Sequence, residues 1–274
     1  MADEVTDSLR SRYPRVLITG AGGQLGAALA EELPWADART HGELDVTRDV
    51  PEGYDLVLHA AAWTDVDGAE SDPAGAEAAN VLGTRNVVAG GAPVLYFSSD
   101  YVFDGSKTEP YVESDRPSPL GVYGRTKLAG EREVRDGWVV RSSWLFGATG
   151  HNFVRTMLRL GEKQEQVAVV DDQRGSPTYV GYLAAAIPWV LDLPYGIYHV
   201  AAGGDCTWAD FAEAILADAG LATGVRRITT AELDRPAPRP AYSVLRSEQP
   251  GTPELPDWRL GLQACLERLG ARAG

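Results

Sequence analysis

The sequence predicts an α/β fold, a doubly wound parallel sheet with a smaller C-terminal lobe. Three observations predict it. Short apolar, β-branched runs alternate with segments of helical period through the first half of the chain, the pattern of βαβ units. A glycine-rich turn comes directly after the first of those runs. In the second half the alternation breaks, and a proline-rich stretch at 234–256 reads as a long extended loop.

In chain order, residues 1–13 are polar and read as a frayed terminus. Arg15 to Thr19 is a strand, and Gln24 to Leu33 has apolar residues at helical spacing, stopping before Pro34. Asp55 to Ala60 is the next clear strand. Asp72 to Val88 reads as one helix, with Pro73 in its favoured first-turn position. Pro93 to Ser99 is a strand, Gly121 to Val134 a helix, and Trp138 to Ser142 a strand. Beyond it, Asn152 to Leu160, Thr207 to Ala219 and Trp258 to Leu269 read as helices.

Composition narrows the partners. The 25 Lys and Arg against 39 Asp and Glu leave a net charge of −14, opposite to what a phosphate-tracking nucleic-acid binder carries. A polybasic membrane surface is missing for the same reason. The expectation is no nucleic acid and no membrane. Cys206 and Cys265 form no CxxC pair, and the four histidines lack metal-ligand spacing, so no metal is expected. The acidic start lacks the basic and apolar regions of a signal peptide, so the expected location is cytoplasmic.

The turn after the first strand reads Thr19-Gly20-Ala21-Gly22-Gly23-Gln24-Leu25-Gly26. Glycines at 20, 23 and 26 suit a tight turn, close backbone approach to a pyrophosphate and close helix–strand packing. The helix that opens there offers unpaired N–H groups and a positive dipole end to phosphates. This is the Rossmann-type signature of a dinucleotide site; no Gly-Lys-Ser/Thr comes after it, so it is not a P-loop. Around Ala38 to His41, where the second strand should face the adenosine ribose, Arg39 stands and no acid does, though Asp37 and Glu43 flank the position, which leans toward NADPH, with NADH as the alternative.

Tyr123 and Lys127 are four residues apart, so they share one helix face. Ser99 ends a strand, at the carboxyl edge where open α/β sheets bind ligands. Reducing a ketone by hydride transfer needs a proton for the developing alkoxide. A neighbouring lysine cation stabilises tyrosinate, so tyrosine can act as general acid, and a serine hydroxyl can hold the carbonyl oxygen.

With Ser98-Ser99-Asp100-Tyr101-Val102-Phe103-Asp104-Gly105 and Gln173-Arg174-Gly175-Ser176-Pro177-Thr178 added, the chain resembles the extended short-chain dehydrogenase/reductases, and within them the dTDP-4-dehydrorhamnose reductase family. The resemblance implies the catalytic set Ser99, Tyr123 and Lys127. It implies a cofactor site of Gly20, Gly23, Gln24, Leu25, Gly26, Asp45, Val46, Ala60, Ala61, Ala62, Thr64, Tyr123 and Lys127. It implies substrate contacts from Asp100, Tyr101, Trp144 and Arg239. The family commonly has Thr where Ser99 stands; both carry the hydroxyl. Some relatives dimerise through a magnesium site built partly from a glutamate that Ala28 replaces, so no metal-bridged dimer is expected, and the chain should act as a monomer or homodimer.

The expected architecture is then an α/β, Rossmann-type doubly wound parallel sheet with a smaller C-terminal substrate-binding lobe. Residues 1–147 together with about 165–200 would form the NAD(P)-binding domain, and about 148–164 with 201–274 the lobe. The implied activity is NAD(P)H-dependent reduction of the C4 ketone of a dTDP-4-keto-6-deoxy sugar. The alternatives are a nucleotide-sugar epimerase or dehydratase that retains NAD, and a catalytically silent NADP-binding regulatory homologue.

Overall fold

The computed structural model describes residues 2–271. A parallel sheet contains β1 (Val16–Thr19), β2 (Asp37–Arg39), β3 (Leu56–His59), β4 (Val94–Ser99), β5 (Gly137–Ser142) and β6 (Gly196–His199). Their spatial order is β6-β5-β4-β3-β1-β2, every neighbouring pair parallel. The order reverses between β1 and β3, and a crevice opens outside the carboxyl ends at such a switch point.

The strands are apolar because both faces are covered. On one face Ile18, Leu58, Leu95, Phe97 and Val140 pack with Leu25 and Leu29 of the helix Gln24–Glu32 and with Leu183 and Ile187 of the helix Val180–Val190. On the other, Leu17, Val57, Tyr96 and Val139 pack with Val46 and Val87. A second core forms the lobe. Phe146, Val154, Met157, Phe211, Ile215, Trp258 and Leu262 meet between the helices Phe153–Gly161, Trp208–Asp218 and Trp258–Leu269. Side chains cap each of these helices: Asn152 accepts from Arg155 N, Thr207 and Asp210 form a capping box, and Asp257 accepts from Arg259 N.

Three expectations change. Ala2–Arg12 is a helix rather than a frayed end. Leu9, 2% exposed, joins the core that contains Leu183 and Ile187, and Arg12 donates to Leu191 O. Gln166–Val170 does not belong with the dinucleotide-binding sheet, where 165–200 was expected. It pairs in parallel with Gly224–Ile228, and Val167 and Val169 enter the second core. Phe146 also packs there, ahead of the expected boundary at 147.

The third concerns the expected helix from Asp72 to Val88. It is preceded by a separate short α-helix at Val66–Ser71 and interrupted by a π-helical turn at Ala78–Leu82. Pro73 keeps its first-turn place. The π turn presents buried Asn80, whose Oδ1 accepts from Trp63 N at 2.8 Å and whose Nδ2 donates to Thr126 Oγ1 at 2.9 Å. A π turn often marks a functional region.

Gly20 requires its glycine twice over. Its φ is +72°, and a Cβ there would stand 2.6 Å from Ala61 N. Gly20→Ala is expected to destabilise the fold by about 1–3 kcal/mol, from backbone strain and displacement of the 60–61 segment. Denaturant unfolding measures this, and an unchanged midpoint would refute the tight seat.

Candidate active site

The turn from Gly20 to Gly26 lies against the segment that leaves β3. Ala60, Ala61 and Ala62 are half-buried beside it, and Thr64 is exposed. Gly23 caps the helix Gln24–Glu32 with no side-chain hydrogen bond, so the first amides of that helix are not taken by a capping side chain. Those amides and the dipole suit an anion. Gln24 Nε2 donates to Leu145 O at 3.1 Å, while its Oε1 is buried without a partner. Leu25 and Val46 place their side chains in the two face cores, so only their backbones can face a ligand. Val46 O accepts from Asn86 Nδ2 at 2.8 Å. Asp45 closes its own turn, with Oδ1 accepting from the Thr47 amide and hydroxyl.

β2 ends at Arg39, and the acid at its start, Asp37, is occupied. Arg39 pairs with it at 2.7 Å and the Tyr54 hydroxyl donates to it at 2.7 Å. The Arg39 hydrogen bond, followed by that of Tyr54, holds the Asp37 carboxyl below its usual range against the opposing effect of burial. The exposed group at this strand end is therefore a guanidinium.

The chemical groups gather at the end of β4 and on the helix Val122–Glu133. Ser99 Oγ donates to Asp100 Oδ1 at 3.0 Å and accepts from Tyr101 N at 3.2 Å. Burial pushes the Asp100 carboxyl up to about 7, opposed by the nearby Ser243 and Ser99 hydroxyls. Its Oδ2 is buried without a hydrogen-bond partner. Tyr101 and Tyr123 meet edge to face, ring centroids 5.8 Å apart. Withdrawal from water pushes the Tyr123 phenol up to about 12; the Ser99 hydroxyl pulls it down and Asp100 raises it. Lys127, 3% exposed, donates to Phe97 O at 2.7 Å and lies 4.2 Å over the Tyr96 ring. Burial brings the Lys127 ammonium down to about 7, and Glu131 opposes that fall.

The substrate contacts expected from the sequence divide. Asp100 and Tyr101 stand beside Ser99 and Tyr123. Trp144, at a φ of +47°, stacks flat on Trp208 with centroids 3.6 Å apart. Arg239 is already engaged, making a two-point pair with Asp67 at 3.1 and 2.9 Å. Arg235 joins the same carboxylate, and Ala237 N donates to it. The loop thus ties the lobe to the turn after β3. Trp208 had no separate signal in the sequence. Asp67 and Ser243 were likewise not singled out there.

The RmlD substrate binding domain family matches residues 14–271. The chain is 41% identical to the dTDP-4-dehydrorhamnose reductase of Streptomyces griseus, covering 95% of this chain and 96% of that one. It is 39% identical to the reductase of the same name from Mycobacterium tuberculosis, over 94% of each. Among solved structures, it is similar to dTDP-4-dehydrorhamnose reductase from Bacillus anthracis in complex with NADP. The TM-score is 0.87 at 38% identity, covering 93% of this chain and 99% of that one. The chain belongs to the RmlD substrate binding domain family, among relatives named dTDP-4-dehydrorhamnose reductase.

Proposed function

We propose that this protein is an NADPH-dependent oxidoreductase that reduces the C4 ketone of a dTDP-4-keto-6-deoxyhexose in deoxysugar or rhamnose biosynthesis. The observation that carries the reading is the grouping of Ser99, Asp100, Tyr101, Tyr123 and Lys127 at the end of β4 and on one helix, in a chain of this family. Both ligands are multiply charged and membrane-impermeant, which supports a cytoplasmic location.

The residues fit the dinucleotide. The glycine turn and the amides after Gly23 would hold its pyrophosphate, and Ala60, Ala61, Ala62 and Thr64 would line its path. Asp45 and the Val46 backbone would border the adenine. Arg39 would meet a 2′-phosphate better than a ribose hydroxyl, since Asp37 is taken. When bound, NADPH supplies the hydride that reduces the carbonyl carbon.

The protein's part is proton delivery and placement. Ser99 Oγ would turn its single hydrogen from Asp100 Oδ1 to the carbonyl oxygen. Tyr123, a phenol held protonated at neutral pH, would pass its proton to that oxygen as the alcohol forms. The Lys127 cation would stabilise the tyrosinate left behind and hold the nicotinamide ribose. Asp100, with its free Oδ2, would accept from a sugar hydroxyl. Trp144 on Trp208 would provide a flat apolar wall. Arg239 would meet the diphosphate by exchanging Asp67 for a second bidentate acceptor.

The direct test is NADPH oxidation with enzymatically made dTDP-4-keto-6-deoxy sugars, followed by NMR of the product. Consumption of NADPH with formation of a C4 alcohol supports the reading; unchanged NADPH with an epimerised sugar overturns it. Tyr123→Phe is expected to lower kcat by roughly 10²–10⁴ while leaving NADPH affinity nearly intact. Retention of more than about half the activity would move proton donation elsewhere. Trp144→Ala is expected to raise KM for the sugar nucleotide and keep KM for NADPH within about twofold. The reverse pattern would remove Trp144 from the substrate pocket.

A further inference from the structure

Three polar side chains form a row across the sheet beneath the site. Ser98 of β4 is the register partner of Arg141 of β5, and Arg141 is the partner of His199 of β6. Partners in register share a face. All three are buried, and the helix Val122–Glu133 lays a fourth buried residue, Glu131, onto them. Arg141 Nε and Nη2 donate to Glu131 Oε1 and Oε2 at 2.9 and 2.7 Å. Ser98 Oγ donates to Oε1 at 2.5 Å. Arg141 Nη1 lies 3.4 Å from His199 Nε2, and His199 Nδ1 lies 3.0 Å from Tyr111 O. Glu131 stands one helical turn after Lys127, which stands one turn after Tyr123.

We propose that Glu131 is a positioning residue for the Tyr123–Lys127 pair: its carboxylate, clamped by Arg141 and Ser98, is the countercharge that keeps buried Lys127 cationic. An ammonium withdrawn from water reverts to the neutral amine unless an anion opposes the change. Both contacts described for the Lys127 ammonium are uncharged, the Phe97 carbonyl and the Tyr96 ring.

The titratable groups around Lys127 leave one anion to do this. Tyr96 faces it from β4 and His59 from β3; Tyr123 and Glu131 share its helix, and Arg141 of β5 stands behind Glu131. Burial pushes the Tyr96 phenol far up, so it stays neutral. Burial, with the Lys127 charge second, brings His59 down to about 3, so it is neutral too. The three hydrogen bonds from Arg141 and Ser98 fix where the Glu131 charge sits.

This inference rests on the reductase reading, and the experiment separates the two. Wild type, Glu131→Gln, Glu131→Asp and Ser98→Ala are titrated with NADPH by fluorescence from about pH 5.5 to 9.5, and kcat/KM is measured over the same range. Lys127 loses its charge as pH rises through its pKa, so binding and rate should fall on the alkaline side. Glu131→Gln is expected to move that fall to lower pH by about one unit or more. Glu131→Asp should restore most of the wild-type position, and Ser98→Ala, which keeps the carboxylate and its two hydrogen bonds from Arg141, should move it by less than Glu131→Gln does.

If the single Gln variant does not fold, Glu131→Gln/Arg141→Met removes the whole pair, so that Arg141 is not left as an unpaired buried charge. A downward shift is expected there too, smaller than in the single variant, because the positive charge of Arg141 leaves together with the nearer negative charge of Glu131. A uniform loss at every pH, with the alkaline fall at its wild-type position, overturns the inference and leaves a merely structural ion pair. Wild-type protein that binds no NADPH overturns the reductase reading and this inference together.

Discussion

The strands of the main sheet all run parallel, and the position of the candidate site depends on that one constraint. Parallel strands send every carboxyl end to the same edge. Thr19, Arg39, His59, Ser99, Ser142 and His199 therefore end side by side. The segments leaving the strands lie around one crevice: the glycine turn after β1, Ala60 to Thr64 after β3, Asp100 and Tyr101 after β4, Trp144 after β5. The same constraint makes the strands apolar, since helices and turns must cover both faces of a sheet built from crossovers.

A sheet dried on both faces accepts polar groups only when they are satisfied, and the contrast with the crevice is informative. Inside, Thr19 Oγ1 lies 2.8 Å from His59 Nδ1, and His59 Nε2 lies 3.1 Å from Thr84 Oγ1. The Ser98, Arg141 and Glu131 cluster is paired in the same way. Among the described residues, the buried side-chain atoms without a partner include Gln24 Oε1, Asp100 Oδ2 and Ser142 Oγ. Ser142 ends β5, Asp100 comes directly after β4, and Gln24 opens the helix that comes after the glycine turn. Trp258 Nε1, in the lobe, is the other such atom. Unmet hydrogen-bonding capacity at the crevice is available to a polar ligand.

The proline-rich loop joins the lobe to this edge and brings two arginines to it. Arg235 and Arg239 converge on Asp67, Ser243 N donates to Arg174 O, and Tyr111 bridges Leu245. Proline suits such a segment because it sets an extended backbone without needing a partner for its missing N–H. A two-point guanidinium–carboxylate pair is also the geometry with which arginine grips a phosphate. The loop is therefore tied to the sheet domain by an interaction that a diphosphate can imitate.

The sequence by itself determined what local signals encode. Apolar runs named β1, β3, β4 and β5, helical spacing put Tyr123 and Lys127 on one face, and Gly20 announced a turn that its positive φ and close seat confirm. These are properties of neighbours along the chain. Tertiary structure decided what depends on distant partners. Ala2–Arg12 is helical because Leu9 finds the core under the helix Val180–Val190. Gln166–Val170 leaves the main sheet because Gly224–Ile228 offers it an edge. Arg239 turns to Asp67, Trp208 lies flat on Trp144, and Glu131 is clamped by Arg141. No periodicity records such pairings, because each is a choice among many polar or aromatic partners that only the packed chain brings within reach.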